Sequence, residues 1–251
     1  MPRYFIEVSY KGTSFRGFQV QENAVTVQGE LNKALATLFK SEIETTTSSR
    51  TDSGVHALQN FLHLDSLVAI TPKMRYNLNA IISSNIVIQN VYEVPETAHS
   101  RFDAISREYL YYIRYHKDPF LLDTSYFYPY PLDIDLMNEA ASLLLKTTDF
   151  SSFAKRHSDV SNHNCLLEEA IWTRDLHDQL VFKVISNRFL RGMVRALVAT
   201  QILVGRKKVT LSELEDIIYA KNCTRADFSA PAHGLFLKKV NYPQRLLAKP
   251  I

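Results

Sequence analysis

The first hundred residues change from a strand-like alternation to a helical spacing and back again. In residues 3–10, apolar and aromatic side chains at every second position share one face, which predicts a half-buried strand. Thr26 precedes apolar residues at helical spacing and predicts a helix N-terminus. Farther along, NFLHLD predicts a strand, residues 75–82 a helix and residues 86–94 another strand.

A second cycle of the same kind occupies the remainder of the chain. Its predicted elements are the strand REYLYYIRY, a helix over 133–146, the strand QLVFKVIS, a helix from near Asn187 to Gly205, a helix opened by the capping box of Thr210 and Glu213, and the closing strand GLFLKKVNY. Strands and helices mix without strict alternation, which favours an α+β fold over a parallel one. We therefore predict two similar domains, 1–105 and 106–251, each a mainly antiparallel sheet with helices packed on one side.

Composition narrows the class of protein. Of 251 residues, 46% are hydrophobic and 22% are charged, which is typical of a globular protein. No apolar run approaches the ~18 residues that span a bilayer, and MPRYFIEVSY lacks the apolar core of a signal peptide. Cys165 and Cys223 are too few for a disulfide scaffold. We predict a cytoplasmic protein with no membrane partner.

The formal net charge of +3 conceals a basic segment. Residues 179–212 contain no acidic residue and seven basic ones: Lys183, Arg188, Arg191, Arg195, Arg206, Lys207 and Lys208. Such a stretch indicates either a polyanion partner or a solvated basic face. Three of these residues, Arg188, Arg191 and Arg195, would share one face of the helix predicted from Asn187. They are candidates to hold phosphates, or to pair with a carboxylate.

Motifs for metals and nucleotide cofactors are absent from the sequence. His163 and Cys165 form the one close His/Cys pair, with no second pair at zinc spacing. The zinc-deaminase signature, the glycine-rich phosphate loops and the GxSxG elbow are also missing. We predict a reaction that needs neither a metal nor a small-molecule cofactor.

Two local patterns each have two interpretations. In SSRTDSGVHALQN, Asp52 is either a turn residue or a reactive carboxylate, and Asp-Ser-Gly alone favours the turn. Tyr109 and Tyr111 share a strand face, either as packing residues or as a platform for an unstacked base.

Seven blocks, in order along nearly the whole chain, resemble the bacterial tRNA pseudouridine synthase A family. They are YKGTSFRGFQVQ, TVQGELNKAL, SRTDSGVHAL, SRFDAISREYLYY, DFSSFA, FLRGMVRALV and APAHGLFLKKVNYP. The resemblance implies a homodimer that converts uridine to pseudouridine at nucleotides 38, 39 and 40 of the tRNA anticodon arm. It also implies an active-site cleft between the two domains.

The resemblance assigns roles to four residues. Asp52 is the nucleophile, attacking either C1′ of the ribose or C6 of uracil. Arg195 pairs with Asp52, Tyr109 packs against the target base, and Arg50 props the stem open as the nucleotide flips out. Lys183, Arg188 and Arg191 are the remaining predicted substrate-binding residues. His56 is either a packing residue behind the loop, which we favour, or a contributor to the site.

The chain departs from the family pattern at several positions beside these residues. Lys11 replaces an acid, Phe18 stands where tryptophan is common, Gln59–Asn60 replaces Gly-Gln, and Ser48–Ser49 replaces Ala-Gly. Two other classes remain open: a catalytically silent RNA-binding module, and a carboxylate-dependent nucleoside hydrolase or glycosylase.

Overall fold

A computed structural model describes residues 1–156, 160, 162–247 and 249–251. The chain forms two compact units: a first unit of Met1–Ser106 with Leu237–Ile251, and a second unit of Arg107–Phe236. The C-terminal residues group with the first unit because Val240 N donates to Gln59 Oε1 at 3.1 Å and Ile105 N to Asn241 O at 2.8 Å. The predicted second domain, 106–251, included these C-terminal residues, whereas the structure groups them with the first unit. The division into functional domains stays a prediction.

The first unit is a sheet with two helices. Its elements are β1 (Arg3–Tyr10), α1 (Val27–Phe39), β2 (Thr46–Thr47), β3 (His56–Asp65), α2 (Pro72–Ile81) and β4 (Ile86–Val94). β1 lies between β3 and β4 and is antiparallel to both, while β2 pairs with β3. The predicted N-cap is confirmed, since the Thr26 side chain accepts a hydrogen bond from Gly29 N at 3.2 Å.

The prediction that β1 is half-buried is wrong, because both of its faces are covered. Phe5 and Ile6 point to opposite faces and both are fully buried. Phe5 packs edge-on against Tyr242, with ring centroids 5.5 Å apart. Lying between β3 and β4, β1 therefore supplies core residues on both sides.

The second unit also combines a sheet with helices. Its elements are β5 (Ser106–Arg114, of which Ser106 belongs to the first unit), β6 (Tyr126–Phe127), α3 (Ile134–Leu145), β7 (Leu167–Arg174), β8 (Leu180–Ser186), α4 (Met193–Gly205), α5 (Leu211–Tyr219) and the start of β9 (Leu235–Asn241). β8 lies between β5 and β7 and is antiparallel to both, and β6 runs parallel to β5. Trp172 of β7 stacks on Phe182 and donates Nε1–H to Gln201 of α4 at 3.0 Å, which ties the helix to the sheet.

Both units have the mixed helix and strand content, with mainly antiparallel pairing, that the sequence predicts. The capping box of Thr210 and Glu213 is present and opens α5. Within the described ranges, no helix is both long and apolar enough to cross a bilayer.

Candidate active site

The loop between β2 and β3 carries Arg50 and Asp52. Asp52 opens a tight turn that closes through the backbone, with Val55 N donating to Asp52 O at 3.1 Å. Gly54 takes a φ of +81°, which a residue with a side chain rarely adopts. The prediction that Asp52 lies in a turn is therefore confirmed.

The Asp52 side chain takes no part in that turn. Its carboxylate is partly exposed, and it makes no hydrogen bond or ion pair with the described residues of the first unit. A turn aspartate usually accepts backbone N–H groups two residues on. Here the backbone closes the turn, and the carboxylate is left available for chemistry.

Residues 11–18 pack against the backbone of this loop. Phe18 N donates to Thr51 O at 3.1 Å, and Ser53 Oγ donates to Phe15 O at 3.2 Å. A Cβ on Gly12 would lie 1.9 Å from the Val55 carbonyl oxygen, so only glycine allows this approach. The blocks YKGTSFRGFQVQ and SRTDSGVHAL are thus two halves of one packed substructure.

A buried hydrogen-bond cluster supports the loop on its inner side. The Tyr10 hydroxyl bonds Thr51 Oγ1 at 2.7 Å, and Asn60 Nδ2 donates to Tyr10 Oη at 3.3 Å and to Ser49 O at 2.9 Å. Asn60 is fully buried, and burial raises the pKa of the Tyr10 hydroxyl, which therefore stays protonated. We call Tyr10, Ser49, Thr51 and Asn60 the loop anchor. It fixes the residues on both sides of Arg50.

Arg50 and His56 behave differently. Arg50 is exposed, although its neighbours Ser49 and Thr51 are buried. Its backbone is therefore held while its side chain reaches solvent. His56 is 1% exposed and its Nδ1 accepts from Gly12 N at 3.1 Å, as expected for a packing and hydrogen-bonding residue behind the loop. Whether it also contributes to the site stays a prediction.

In the second unit, the two tyrosines of the β5 ladder have different environments. Tyr111 is fully buried, its hydroxyl donates to Pro231 O at 2.8 Å, and burial raises its pKa. Tyr109 lies opposite Val184 of β8 and is 8% exposed, with its ring edge-to-face against Phe189 at 5.0 Å. Tyr111 is a core residue, and Tyr109 is the tyrosine closer to the surface.

The predicted start of α4 is wrong. The helix begins at Met193, not near Asn187, because Gly192 takes a φ of +72° and interrupts the helical backbone. Asn187 instead exchanges hydrogen bonds with Leu166, as its N donates to Leu166 O at 3.2 Å and its Oδ1 accepts from Leu166 N at 2.9 Å.

The same correction removes the predicted row of three arginines. Arg188 and Arg191 precede α4, so they do not share a helical face with Arg195. Arg188 is partly exposed and Arg191 is exposed. The later start of α4 does not decide whether Arg188 and Arg191 bind substrate, and that role stays a prediction.

Arg195 lies in the first turn of α4 and is held by backbone carbonyls. Its Nε donates to Ala230 O at 2.6 Å and its Nη2 to Phe228 O at 3.4 Å. No carboxylate pairs with it among the described residues of the second unit. Since a guanidinium has five N–H donors, the carbonyls orient the group and leave donors for a further acceptor.

Lys183 does not share the surface of Tyr109. In the β5–β8 register Lys183 pairs with Leu110, whereas Tyr109 pairs with Val184, so the two side chains lie on opposite faces of the sheet. Lys183 Nζ is 2.8 Å from Glu169 Oε2, and the hydrogen bond to Glu169 raises the pKa of Lys183. Its predicted contact with substrate stays a prediction.

Several supporting residues escaped the sequence analysis. Asn60 appeared there only as a departure from the family pattern, and Phe189 only as the first residue of the block FLRGMVRALV. The backbone carbonyls that hold Arg195 could not be predicted from residue types, because any residue supplies such a carbonyl. For metals, the described residues contain no group of three or more His, Cys, Asp or Glu side chains that would hold an ion.

Comparison with known proteins identifies the family. Residues 140–243 match the model of a family described as tRNA pseudouridine synthase. The chain is 41% identical over 252 residues to tRNA pseudouridine synthase A of Parabacteroides distasonis, with 98% of each chain covered. It is 41% identical to the protein of that name from Porphyromonas gingivalis, covering 98% of this chain and 99% of the relative. For a Staphylococcus aureus protein of the same name, identity is 36%, with 98% and 93% covered.

Proposed function

The chain belongs to the tRNA pseudouridine synthase A family and is an isomerase of that family, and from this premise we propose its substrate position and mechanism. The substrate is uridine at positions 38, 39 and 40 of the tRNA anticodon stem-loop. Asp52 is the nucleophile, and the family resemblance implies an active-site cleft between the predicted domains 1–105 and 106–251. The observation that carries the proposal is the Asp52 carboxylate, which is partly exposed and unpaired within its unit, on a loop anchored from both sides.

The reaction needs a group that can attack and later leave. The N1–C1′ bond breaks, uracil turns within the site, C5 bonds to C1′, the C5 proton goes to solvent, and N1 gains a proton. Electrons balance without an external oxidant or reductant, so the proposed reaction uses no cofactor. A carboxylate suits the covalent step at either C1′ or uracil C6, because it is both a nucleophile and a leaving group.

The other residues position the substrate. Arg195 pairs with Asp52, and its guanidinium is already oriented by two backbone carbonyls. Tyr109 supports the extruded base. Arg50 enters the stem as the nucleotide flips out, a role that fits an exposed side chain on a fixed backbone.

Affinity for tRNA comes mainly from phosphate contacts. Lys183, Arg188 and Arg191 are the proposed contacts, supported by the acid-free stretch to which they belong. A homodimer that cradles one tRNA rests on the family resemblance alone. Cytoplasmic location rests on that resemblance and on composition.

Incubation with tRNA carrying tritium at uridine C5 tests the proposal. We expect release of tritium to water with the base retained in the RNA. Release of free uracil would instead identify a hydrolase or glycosylase. Tight tRNA binding with neither product would identify an RNA-binding module. A matched anticodon stem-loop with uridine absent from positions 38 to 40 is the control, and it should release no tritium.

A further inference from the structure

Three tyrosines and an arginine form an aromatic cluster near the C-terminus of α4. Tyr126, Tyr128 and Tyr130 alternate along one segment, with successive ring centroids 5.5 Å apart. The Arg206 guanidinium lies 4.5 Å from the Tyr130 ring centroid, and its Nη1 donates to Tyr128 Oη at 3.2 Å. These contacts fix the guanidinium and the rings relative to one another.

The cluster is partly open to solvent. Tyr130 is 53% exposed, whereas Tyr126 and Tyr128 are partly buried. Pro131 follows Tyr130 and biases its backbone toward extended conformations. A ring held this way loses little conformational freedom when a ligand stacks on it.

Basic side chains adjoin the cluster in sequence. Arg206, Lys207 and Lys208 end the acid-free stretch, and the proposed catalytic site uses none of them. Lys207 Nζ is 3.2 Å from Asp133 Oδ2. Lys208 is exposed and has no ion pair within the described parts of the chain. A second carboxylate, Asp227, also acts electrostatically on the cluster, at Tyr126.

We propose that Tyr126, Tyr128, Tyr130, Arg206 and Lys208, which we call the Tyr130 platform, bind an unpaired nucleotide of the tRNA. The base stacks on the open part of Tyr130, and a flanking phosphate contacts Lys208. Exposed aromatic rings beside cations are the arrangement that holds single-stranded nucleic acid without reading its sequence. The inference rests on the proposed function for the identity of the RNA, and it adds a contact surface to the residues assigned above.

Substitution of Tyr130 tests the platform. Tyr130→Ala should raise the Kd for tRNA about tenfold, with the single-turnover rate of pseudouridine formation at saturating enzyme unchanged. Tyr130→Phe keeps the aromatic face and should bind as wild type does. Tyr219→Ala is the matched control, since Tyr219 is 76% exposed in the same unit but lies one helical turn from Glu215 and Asp216. It should leave the Kd unchanged.

Lys208→Gln gives a second, independent measurement in case Tyr130→Ala does not fold. It removes one exposed charge and should lower the slope of log Kd against log salt by about one unit. The inference is overturned if a folded Tyr130→Ala binds tRNA like wild type, or if Lys208→Gln leaves the slope unchanged. It is also overturned if Tyr130→Ala converts a dimer to a monomer in sedimentation, since the platform would then contact a second copy. Platform-dependent binding by a wild-type protein that makes no pseudouridine would refute the proposed function alone.

Discussion

Removing one buried hydroxyl should loosen the loop that carries Asp52. In Tyr10→Phe the ring stays in the core, but the bonds to Thr51 Oγ1 at 2.7 Å and from Asn60 Nδ2 at 3.3 Å are lost. Each such bond contributes about 0.5–1.5 kcal/mol net, and the Thr51 hydroxyl is left buried. We therefore expect the free energy of unfolding to fall by about 2 kcal/mol in urea titrations.

Tyr4 offers a matched control on the same strand. It is 1% exposed, and its hydroxyl has no hydrogen-bond partner in the described part of the chain. Tyr4→Phe should therefore change stability by less than about 0.5 kcal/mol.

The loss should also appear in catalysis, because Thr51 directly precedes Asp52. Misplacement of a reacting group by about 1 Å can cost about a hundredfold in rate. We expect the single-turnover rate of Tyr10→Phe to fall between about tenfold and a hundredfold, with tRNA Kd nearly unchanged. If Tyr10→Phe matched Tyr4→Phe in both stability and rate, the loop anchor would have no role in holding Asp52.

Two further substitutions test particular features of the structure. Burial lowers the pKa of His63 to about 4, and its Nδ1 accepts a hydrogen bond from Ser100 N. As the pH falls below 6.5, the unfolded chain therefore binds a proton at His63 before the folded protein does. Because the ring is only partly shielded from solvent, wild type should lose about 1–2 kcal/mol of stability between pH 6.5 and 4 relative to His63→Asn in urea titrations, and parallel profiles would contradict this. Gly192→Ala should destabilise by about 1–2 kcal/mol in thermal unfolding, whereas a helix running from Asn187 would make the same change stabilising.

Local pattern predicts most of the regular elements. Residues 86–94 form the strand that their alternation predicts, and Thr26 and Thr210 cap helices as expected. Each of these signals is contained within a few residues of one element. The resemblance to a known family is likewise borne out by relatives covering nearly the whole chain.

The start of α4 shows where local pattern fails. Leu190 is 6% exposed and precedes the helix. Its spacing from Met193 and Leu197 is nevertheless that of residues on one helix face, so the sequence pattern includes it in the helix. Nothing local reveals that Gly192 adopts a left-handed backbone or that Asn187 bonds to Leu166. Periodicity reports burial, and burial alone does not require a helix.

The loop anchor was unpredictable for a different reason. Tyr10, Thr51 and Asn60 are distant in sequence, and their bonds form only when β1 and β3 pair. A polar residue in a strand carries no local sign that it will be fully buried and saturated with hydrogen bonds. Asp52 is a candidate site residue through the family resemblance, while the residues that hold its loop became visible only in the fold.

The rate of pseudouridine formation by Asp52→Asn tests the central claim most directly. Asparagine is nearly isosteric, and the turn closes through the backbone bond from Val55 N, so the loop should persist. Under single-turnover conditions with C5-tritiated tRNA, we expect tritium release to fall by about 10⁴-fold or more, with tRNA Kd within about tenfold of wild type. A folded, tRNA-binding Asp52→Asn that still forms pseudouridine at even about a tenth of the wild-type rate, well above the loss expected for a covalent catalyst, would show that Asp52 only shapes the turn.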